Sequence, residues 1–360
     1  MSAATAPTLP ITTPMATSLR PEDSYYMSLA IESARQGLFT TRPNPAVGCV
    51  IVKDGKIIGR GFHPKAGQPH AEVFALREAG EQAIGACAYV TLEPCSHTGR
   101  TPPCAAALIK AQVARVVVAG LDPNPSVAGR GIAMLQAAGI EVVTGVMQSQ
   151  AEALNTGFLK AMRSGLPYMR LKIATSLDGR TAMASGESKW ITGSAARTDV
   201  QRLRARSAAI ITGSETVIAD NPSLNVRSNQ LGVAVEQIPQ PKIVVLDRRS
   251  RLHTETDYTV CHYPETLFWR EDDLLALLKM LVSEYQCYDV LVEAGAKVAG
   301  SFIAAGLVDE LVVYQAPCIL GSTARPMVDL ALTQLATQQR YHCQYHEAVG
   351  NDLKLVFTPL

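Results

Sequence analysis

His70-Ala71-Glu72, then Leu92-Glu93-Pro94-Cys95, then Pro103-Cys104 is the stretch that decides how the first half of this chain reads. One imidazole and two thiols form a ligand set for zinc that leaves one tetrahedral position open to water. Zinc draws the pKa of such a water towards neutrality, so hydroxide becomes available without strong base. Glu72 stands two residues from the imidazole, where it can take a proton from the water and hand it to a departing amine. The flanking sequence alternates strands and helices. A helical stretch, Ser24 to Gln36, precedes strands over Ala46–Val52 and Lys56–Gly61, joined by the hairpin signal Asp54-Gly55. A helix starts near His70 and runs to about Ala79. Residues two apart do not share a helix face, so His70 and Glu72 belong to its first turn. A short buried strand, Ala88 to Leu92, ends in the Cys95 loop. Pro103 suits the first position of a helix reaching Gln112, whose start favours the thiolate of Cys104. A strand over Arg115–Gly120, a helix over Gly131–Ala138 and a strand over Glu141–Gly145 complete an α/β sandwich around one mostly buried sheet.

His-x-Glu followed by Pro-Cys is the pattern of zinc deaminases that act on nucleobases. There two residues separate the cysteines, whereas here the turn-rich run Ser96 to Pro103 does. A structural zinc clip, with His97 closing the fourth position, and a reactive disulfide pair are the competing readings.

A length of 360 residues exceeds what one core usually fills, and two domains are expected. A formal net charge of +1 attracts no polyanion, which argues against a nucleic-acid partner. No apolar run is long enough to cross a bilayer, so no membrane partner is expected. Eight scattered cysteines without a secretory segment point to the cytoplasm. Residues 1–22 lack the arginines of a transit peptide and read as a disordered tail. The first domain is expected over 23–165, and a helical segment, Gln150 to Ser164, leads to the boundary at Gly165-Leu166-Pro167.

The second half, 166–360, alternates strands and helices again. Strands are expected at Tyr168–Ser176, Ala208–Thr212, Lys242–Leu246, Asp289–Glu293 and Glu310–Tyr314, with a closing hairpin over Tyr341–His346 and Leu353–Thr358. An amphipathic helix, Ala195 to Ser207, carries Arg197, Arg202, Arg204 and Arg206. Glu293-Ala294-Gly295 ends an apolar strand just before a helix over Lys297–Ala305, whose free N–H groups can hold a phosphate. The glycine spacing is not that of a dinucleotide-binding Rossmann turn. Asp247-Arg248-Arg249-Ser250 could grip an extra phosphate or be a solvated basic turn.

Together these motifs resemble the bifunctional deaminase-reductase of riboflavin biosynthesis. The resemblance is carried by Pro43-Asn44-Pro45-Ala46-Val47-Gly48, His70-Ala71-Glu72, the run from Leu92 to His97 through Pro103-Cys104, Leu177-Asp178-Gly179-Arg180, Ala219-Asp220-Asn221-Pro222 and Val292-Glu293-Ala294-Gly295. It covers the chain from about residue 25. It implies a cytidine-deaminase-like three-layer α/β/α domain followed by a dihydrofolate-reductase-like α/β domain that binds NADPH. His70, Cys95 and Cys104 would hold Zn2+, with Glu72 as the catalytic proton shuttle. Asn44 and His63 would line the pyrimidine pocket, and Arg100, Asp122 and Asn124 the ribose-phosphate end. In the second domain Ala174, Trp190, Thr216 and Asp220 would contact NADPH. So would the turn of Gly295, Ala296, Lys297, Val298, Ala299, Gly300 and Ser301, and Arg248 falls where the family contacts the adenosine phosphate region. Ser188, Arg204, Leu224, Arg227 and Glu293 would contact the reducible substrate, with Arg204 and Arg227 suited to its phosphate.

The implied chemistry has two steps on a phosphorylated pyrimidine. Zinc-activated hydroxide deaminates 2,5-diamino-6-(5-phosphoribosylamino)pyrimidin-4(3H)-one, and NADPH then reduces the ribose to a ribityl chain. The proton donor of the second step stays open between Asp220 and Glu293. The resemblance also implies a homo-oligomer, a dimer or a tetramer. A nucleic-acid-editing deaminase, a free-base or nucleoside deaminase and a non-catalytic zinc protein are the rivals. None of them needs the second α/β half.

Overall fold

A computed structural model describes residues 19–96, 103–124 and 128–360. Most of the expected tail therefore lies outside the described residues, as do His97 and Arg100. The first half runs α1 (Asp23–Arg35), β1 (Gly48–Lys53), β2 (Lys56–Phe62), α2 (Ala71–Ala79), β3 (Cys87–Leu92), α3 (Cys104–Lys110), β4 (Arg115–Gly120), α4 (Arg130–Ala137), β5 (Glu141–Thr144), α5 (Gln148–Glu152) and α6 (Thr156–Ser164). Its sheet has the order β2-β1-β3-β4-β5, with β1 antiparallel to β2 and β3, and β3, β4 and β5 parallel. Alternate strand residues face opposite ways. Ile51, Val90, Val116 and Val118 meet Ala75, Ala105, Leu108 and Leu135 from α2, α3 and α4. Val50, Tyr89 and Val117 meet Met27 and Ile31 of α1 and Ala151 of α5 on the other face. Three layers result. Asp54 and Gly55 take positive φ of 50° and 73°, the hairpin turn that their sequence signals.

At the closed end of this sheet Arg115, 2% exposed, ion-pairs with Asp23 at 2.6 Å and Glu141 at 3.0 Å. Burial pushes the Asp23 carboxyl up, but Arg115 and the Arg20 backbone N–H outweigh it and hold it below its ordinary value.

The second half runs β6 (Tyr168–Thr175), β7 (Arg180–Ala182), α7 (Ser194–Arg206), β8 (Ala209–Gly213), α8 (Ser214–Asp220), β9 (Lys242–Leu246), β10 (Leu267–Trp269), α9 (Leu274–Ser283), β11 (Asp289–Glu293), α10 (Ala296–Ala304), β12 (Glu310–Gln315), β13 (Arg325–Pro326), β14 (Tyr341–Val349) and β15 (Asp352–Pro359). Eight strands form one sheet, β10-β9-β8-β11-β6-β12-β15-β14, parallel up to β12 and closed by the antiparallel hairpin β14–β15. Leu277, Leu281, Phe302 and Ile303 of α9 and α10 cover one face. Ala196 and Val200 of α7 meet Val312, Tyr314 and Val356 on the other. Among the described residues no helix is long and apolar enough to cross a membrane.

Two local expectations need correction. Pro103 is the N-cap of α3 and lies outside the helix, so Cys104 opens it. The single helix expected over Gln150–Ser164 is two helices. The chain turns out at Asn155, whose amide accepts from Ala46 N at 2.7 Å and donates to Ala46 O at 2.9 Å.

Candidate active sites

The first site sits where β3 ends and α2 and α3 begin. α2 lies hard against β2: a Cβ on Gly61 would fall 2.2 Å from the Ala71 carbonyl oxygen, so only glycine admits this approach. That contact fixes the helix start, with His70 as N-cap in extended backbone and Glu72 in the first turn. The turn after β3 brings in Cys95. The ligand atoms of His70, Cys95 and Cys104 all lie within 4.8 Å of one another. His70 Nδ1 is 3.2 Å from Cys104 Sγ and 3.6 Å from Cys95 Sγ. Zinc bonds of about 2.0 Å to nitrogen and 2.3 Å to sulfur, at tetrahedral angles, require separations of about 3.5 Å. The donor set fits zinc.

A hydrogen bond from the Cys104 thiol, helped by His70 and by the Cys104 backbone N–H at 3.3 Å, draws the Cys95 thiol down to about 4. The two thiols share one proton, so Cys104 is pushed up by the same contact. Contact with Cys95 raises His70. Glu72 is 3% exposed, and its Oε2 has no partner among the described residues. Burial raises its pKa. An unpaired buried carboxylate oxygen is costly, and a group from outside the chain would satisfy it.

Asn44 and His63 stand beside the cluster. Nδ2 of Asn44 is 3.0 Å from Nε2 of His63, whose Nδ1 is 3.1 Å from the Pro69 carbonyl. Burial lowers the His63 pKa and keeps the ring neutral near pH 7. A proton on Nδ1 bonds Pro69, leaving Nε2 to accept from Asn44. Its ring meets that of His70 edge-on at 5.1 Å.

Asp122 and Asn124 follow β4, with Asn124 N donating to Asp122 Oδ1 at 2.8 Å. Sequence reasoning missed Glu93. Its buried carboxylate accepts from the N–H groups of Gly129 and Gly131, both at 3.0 Å, and of Asp122 at 3.4 Å. It ties the Cys95 corner to the segment that carries Asp122 and Asn124.

The second cluster lies at the carboxyl ends of the parallel strands, where α/β sheets bind ligands. Glu293, buried at the end of β11, stands in register with Lys172 of β6. Arg204 of α7 grips it through two bonds, at 2.6 and 3.0 Å, and Lys172 Nζ lies 3.8 Å away. Burial pushes the Glu293 carboxyl up, but Arg204, Lys172 and Arg227 overcome this and hold it low. Burial pulls Lys172 down, against the pull of Glu293. Lys172 carries no motif and was missed from sequence. Its face is shared with Ala174, two residues on.

Arg204 and Arg227, both expected at the substrate phosphate, stand in different surroundings. Arg204 is committed to Glu293 and to Asn225 O. Arg227 is exposed, and its guanidinium donates to Asn225 Oδ1 at 2.9 Å. Leu224 is 3% exposed within an apolar cluster, which leaves only its backbone for a ligand. Ser188 Oγ donates to Asp220 Oδ1 at 2.9 Å. Trp190 is 70% exposed, with the Arg197 guanidinium 4.4 Å above its ring. Thr216 lies in α8. Gly295 is the N-cap of α10, and nothing stands within 4 Å of where its Cβ would be. That open cradle, beside the N–H groups of Ala296 and Lys297 in the first turn of the helix, fits a dinucleotide phosphate. Val298 to Ser301 continue the helix, with Ala299 and Gly300 buried. Arg248 is a surface residue paired with Asp272 at 2.7 Å.

The chain matches two family models. One is the cytidine and deoxycytidylate deaminase zinc-binding region, over residues 20–120. The other is the RibD C-terminal domain, over residues 167–355. It is 51% identical to riboflavin biosynthesis protein RibD of Escherichia coli over 362 residues, covering 93% of this chain and 98% of that one. Against RibD of Haemophilus influenzae the identity is 48%, over 94% of this chain and 98% of that one. A structure of Acinetobacter baumannii RibD superposes with a TM-score of 0.91 at 54% identity, covering 94% and 99% of the two chains. The diaminohydroxyphosphoribosylaminopyrimidine deaminase/5-amino-6-(5-phosphoribosylamino)uracil reductase of Thermotoga maritima does so with a TM-score of 0.85 at 32% identity, over 94% and 99%.

Proposed function

The chain belongs to the RibD family, zinc deaminases and reductases of riboflavin biosynthesis, and from that premise we propose how its own residues divide the work. Residues 23–165 form the deaminase domain and residues 166–360 the reductase domain. The observation that carries this reading is the convergence of His70, Cys95 and Cys104 beside the buried, unpartnered oxygen of Glu72.

His70, Cys95 and Cys104 hold the zinc. When bound, the metal supplies Lewis acidity and a water that is nucleophilic near neutral pH. Glu72 relays two protons in turn, one from the attacking water to the ring nitrogen and a second from the added hydroxyl to the departing ammonia, a task its raised pKa suits. Asn44 and neutral His63 orient the pyrimidine ring. Asp122 and Asn124 bind the ribose-phosphate arm, and Glu93 holds their segment in place. Arg100 joins them by resemblance alone.

In the reductase domain the Gly295–Ser301 turn takes a phosphate of NADPH. Ala174, Trp190, Thr216 and Asp220 complete the cofactor surface, and Arg248 lies at its adenosine end. When bound, NADPH supplies the hydride. Arg227 meets the substrate phosphate, and Ser188 and the Leu224 backbone flank it. Glu293 is held ionised by Arg204, so it accepts hydrogen bonds and is a poor acid. Lys172 Nζ lies 3.8 Å from it with a pKa lowered by burial, which makes it the better donor to the sugar.

The substrate of both steps is the phosphorylated pyrimidine, handled in the cytoplasm, a setting supported by eight unpaired cysteines. A homo-oligomer, dimer or tetramer, is supported by the exposed β14 at the end of its sheet. The test is a coupled assay. Diaminopyrimidinone substrate should release ammonia, and the deaminated product should then drive NADPH oxidation. Ammonia release with no product-dependent oxidation would refute the bifunctional assignment.

A further inference from the structure

We infer that Arg42 is a positioning residue for deamination, anchored in the reductase domain and holding the Thr41–Ala46 loop that presents Asn44. Its guanidinium crosses from the first half to the second and donates to the backbone carbonyls of Ser207 and Pro239. No carboxylate pairs with it among the described residues. Burial pulls its pKa down to about 10, still charged at neutral pH. Desolvating a cation against two carbonyls, with the Asp289 carboxylate near enough to raise its pKa but in no ion pair with it, is a costly way to make a surface contact. It is a reasonable way to fix a loop.

The loop is fixed at both ends. Asn155 clamps both the N–H and the C=O of Ala46. Between the anchors, Asn44 N donates to Thr41 O at 3.0 Å, a turn that sets the direction of Asn44. Asn44 meets His63, and His63 meets Pro69, the residue before the metal-ligating His70. Three residues upstream of Arg42, Phe39 packs into a reductase cluster of Ala205, Val226, Leu231 and Ile238. In return Arg206 of α7 donates to Ala153 O at 2.7 Å, two residues before Asn155. The pyrimidine side of the deaminase pocket is thus seated on the reductase domain. Glu72, Cys95 and Cys104 sit on α2, in the turn after β3 and on α3, and none of them touches Arg42.

That separation predicts a split in kinetics. The inference rests on the assignment of Asn44 and His63 to the pyrimidine pocket, so Asn44→Ala is measured alongside. In the full-length, zinc-loaded protein, Arg42→Met keeps apolar volume and removes the donors. The deamination KM should rise about tenfold with kcat within about threefold, since small misplacements of orienting groups have effects of this order or larger. Zinc content and reductase kinetics on the deaminated substrate should be unchanged. Arg42→Lys, which keeps the charge and donates to one carbonyl, should fall between wild type and Arg42→Met. A wild-type KM in Arg42→Met, with a raised KM in Asn44→Ala, overturns the inference and leaves the pocket intact. A wild-type KM in Asn44→Ala overturns the pocket itself. Equal losses of both activities and of thermal stability in Arg42→Met would show a merely structural strut. If Arg42→Met does not fold, a wild-type KM in Arg42→Lys overturns the inference and a raised one supports it.

Discussion

The two sites of this chain are built from different materials. In the deaminase domain four side chains, His70, Glu72, Cys95 and Cys104, carry the chemistry, and the backbone only places them. In the reductase domain much of the cofactor surface is backbone: an open Gly295, the N–H groups in the first turn of α10 and the main chain at Leu224. The charge cluster at its strand ends, Lys172–Glu293–Arg204, comes from three elements far apart in sequence. A site made of soft ligands is sensitive to single atoms. A site made of strand ends depends on register.

That contrast is broken or sharpened first at Glu72. Glu72→Gln should lower deamination by about 10²–10⁴-fold, the usual worth of a positioned acid–base group. Zinc content and NADPH oxidation should stay as they were. Ammonia release within tenfold of wild type would remove the shuttle role.

Glu293→Gln comes next and should hit both activity and fold. It leaves Arg204 and Lys172 buried without their anion, a loss of about 3–5 kcal/mol for a broken buried pair. Reductase turnover should fall about 100-fold, on the premise that Glu293 orients the proton donor. Chemical denaturation and NADPH kinetics read the two effects, while deamination measured below the unfolding transition should persist. A variant with wild-type stability and turnover would show that the cluster is idle.

Arg227→Ala should be milder. Losing one exposed charged contact to a phosphate should raise the reductase KM for the pyrimidine by about tenfold, or 1.4 kcal/mol. NADPH affinity by fluorescence titration should not change. A shift in NADPH affinity with a constant substrate KM would move Arg227 into the cofactor site.

The smallest effect lies outside both sites. Asp23 has a depressed pKa in the fold, so its stabilising contribution is full above the unfolded value of about 3.9 and is lost as pH falls through the folded one. Urea denaturation of Asp23→Asn should show a flatter dependence on pH below about 4 than wild type. Parallel curves for the two proteins would mean that the Arg115 pair does not govern acid stability.

How far the sequence could be read follows the same division. His70, Cys95 and Cys104 were legible because zinc ligands are chemically distinctive and sit at element ends, where turn signals mark them. The strands Lys242–Leu246 and Asp289–Glu293 were legible as apolar runs, and the structure has them at those same residues. Lys172 was not legible, since a lone lysine inside a strand has no pattern. Its meaning comes from standing in register with Glu293, 121 positions later. Arg204 was assigned to phosphate on the sign of its charge, and only the topology shows the carboxylate that claims it. Asn155 has ordinary helix neighbours, so its break appears only through its bonds to Ala46. Glu93 likewise gains its role from N–H groups more than 25 residues away.

The most direct test of the account measures metal content and both activities on one preparation, before and after chelation. It predicts one zinc per chain. Ammonia release should disappear with the zinc and return on adding it back, while the deaminated substrate continues to drive NADPH oxidation throughout. Ammonia release undiminished in metal-free protein would contradict it.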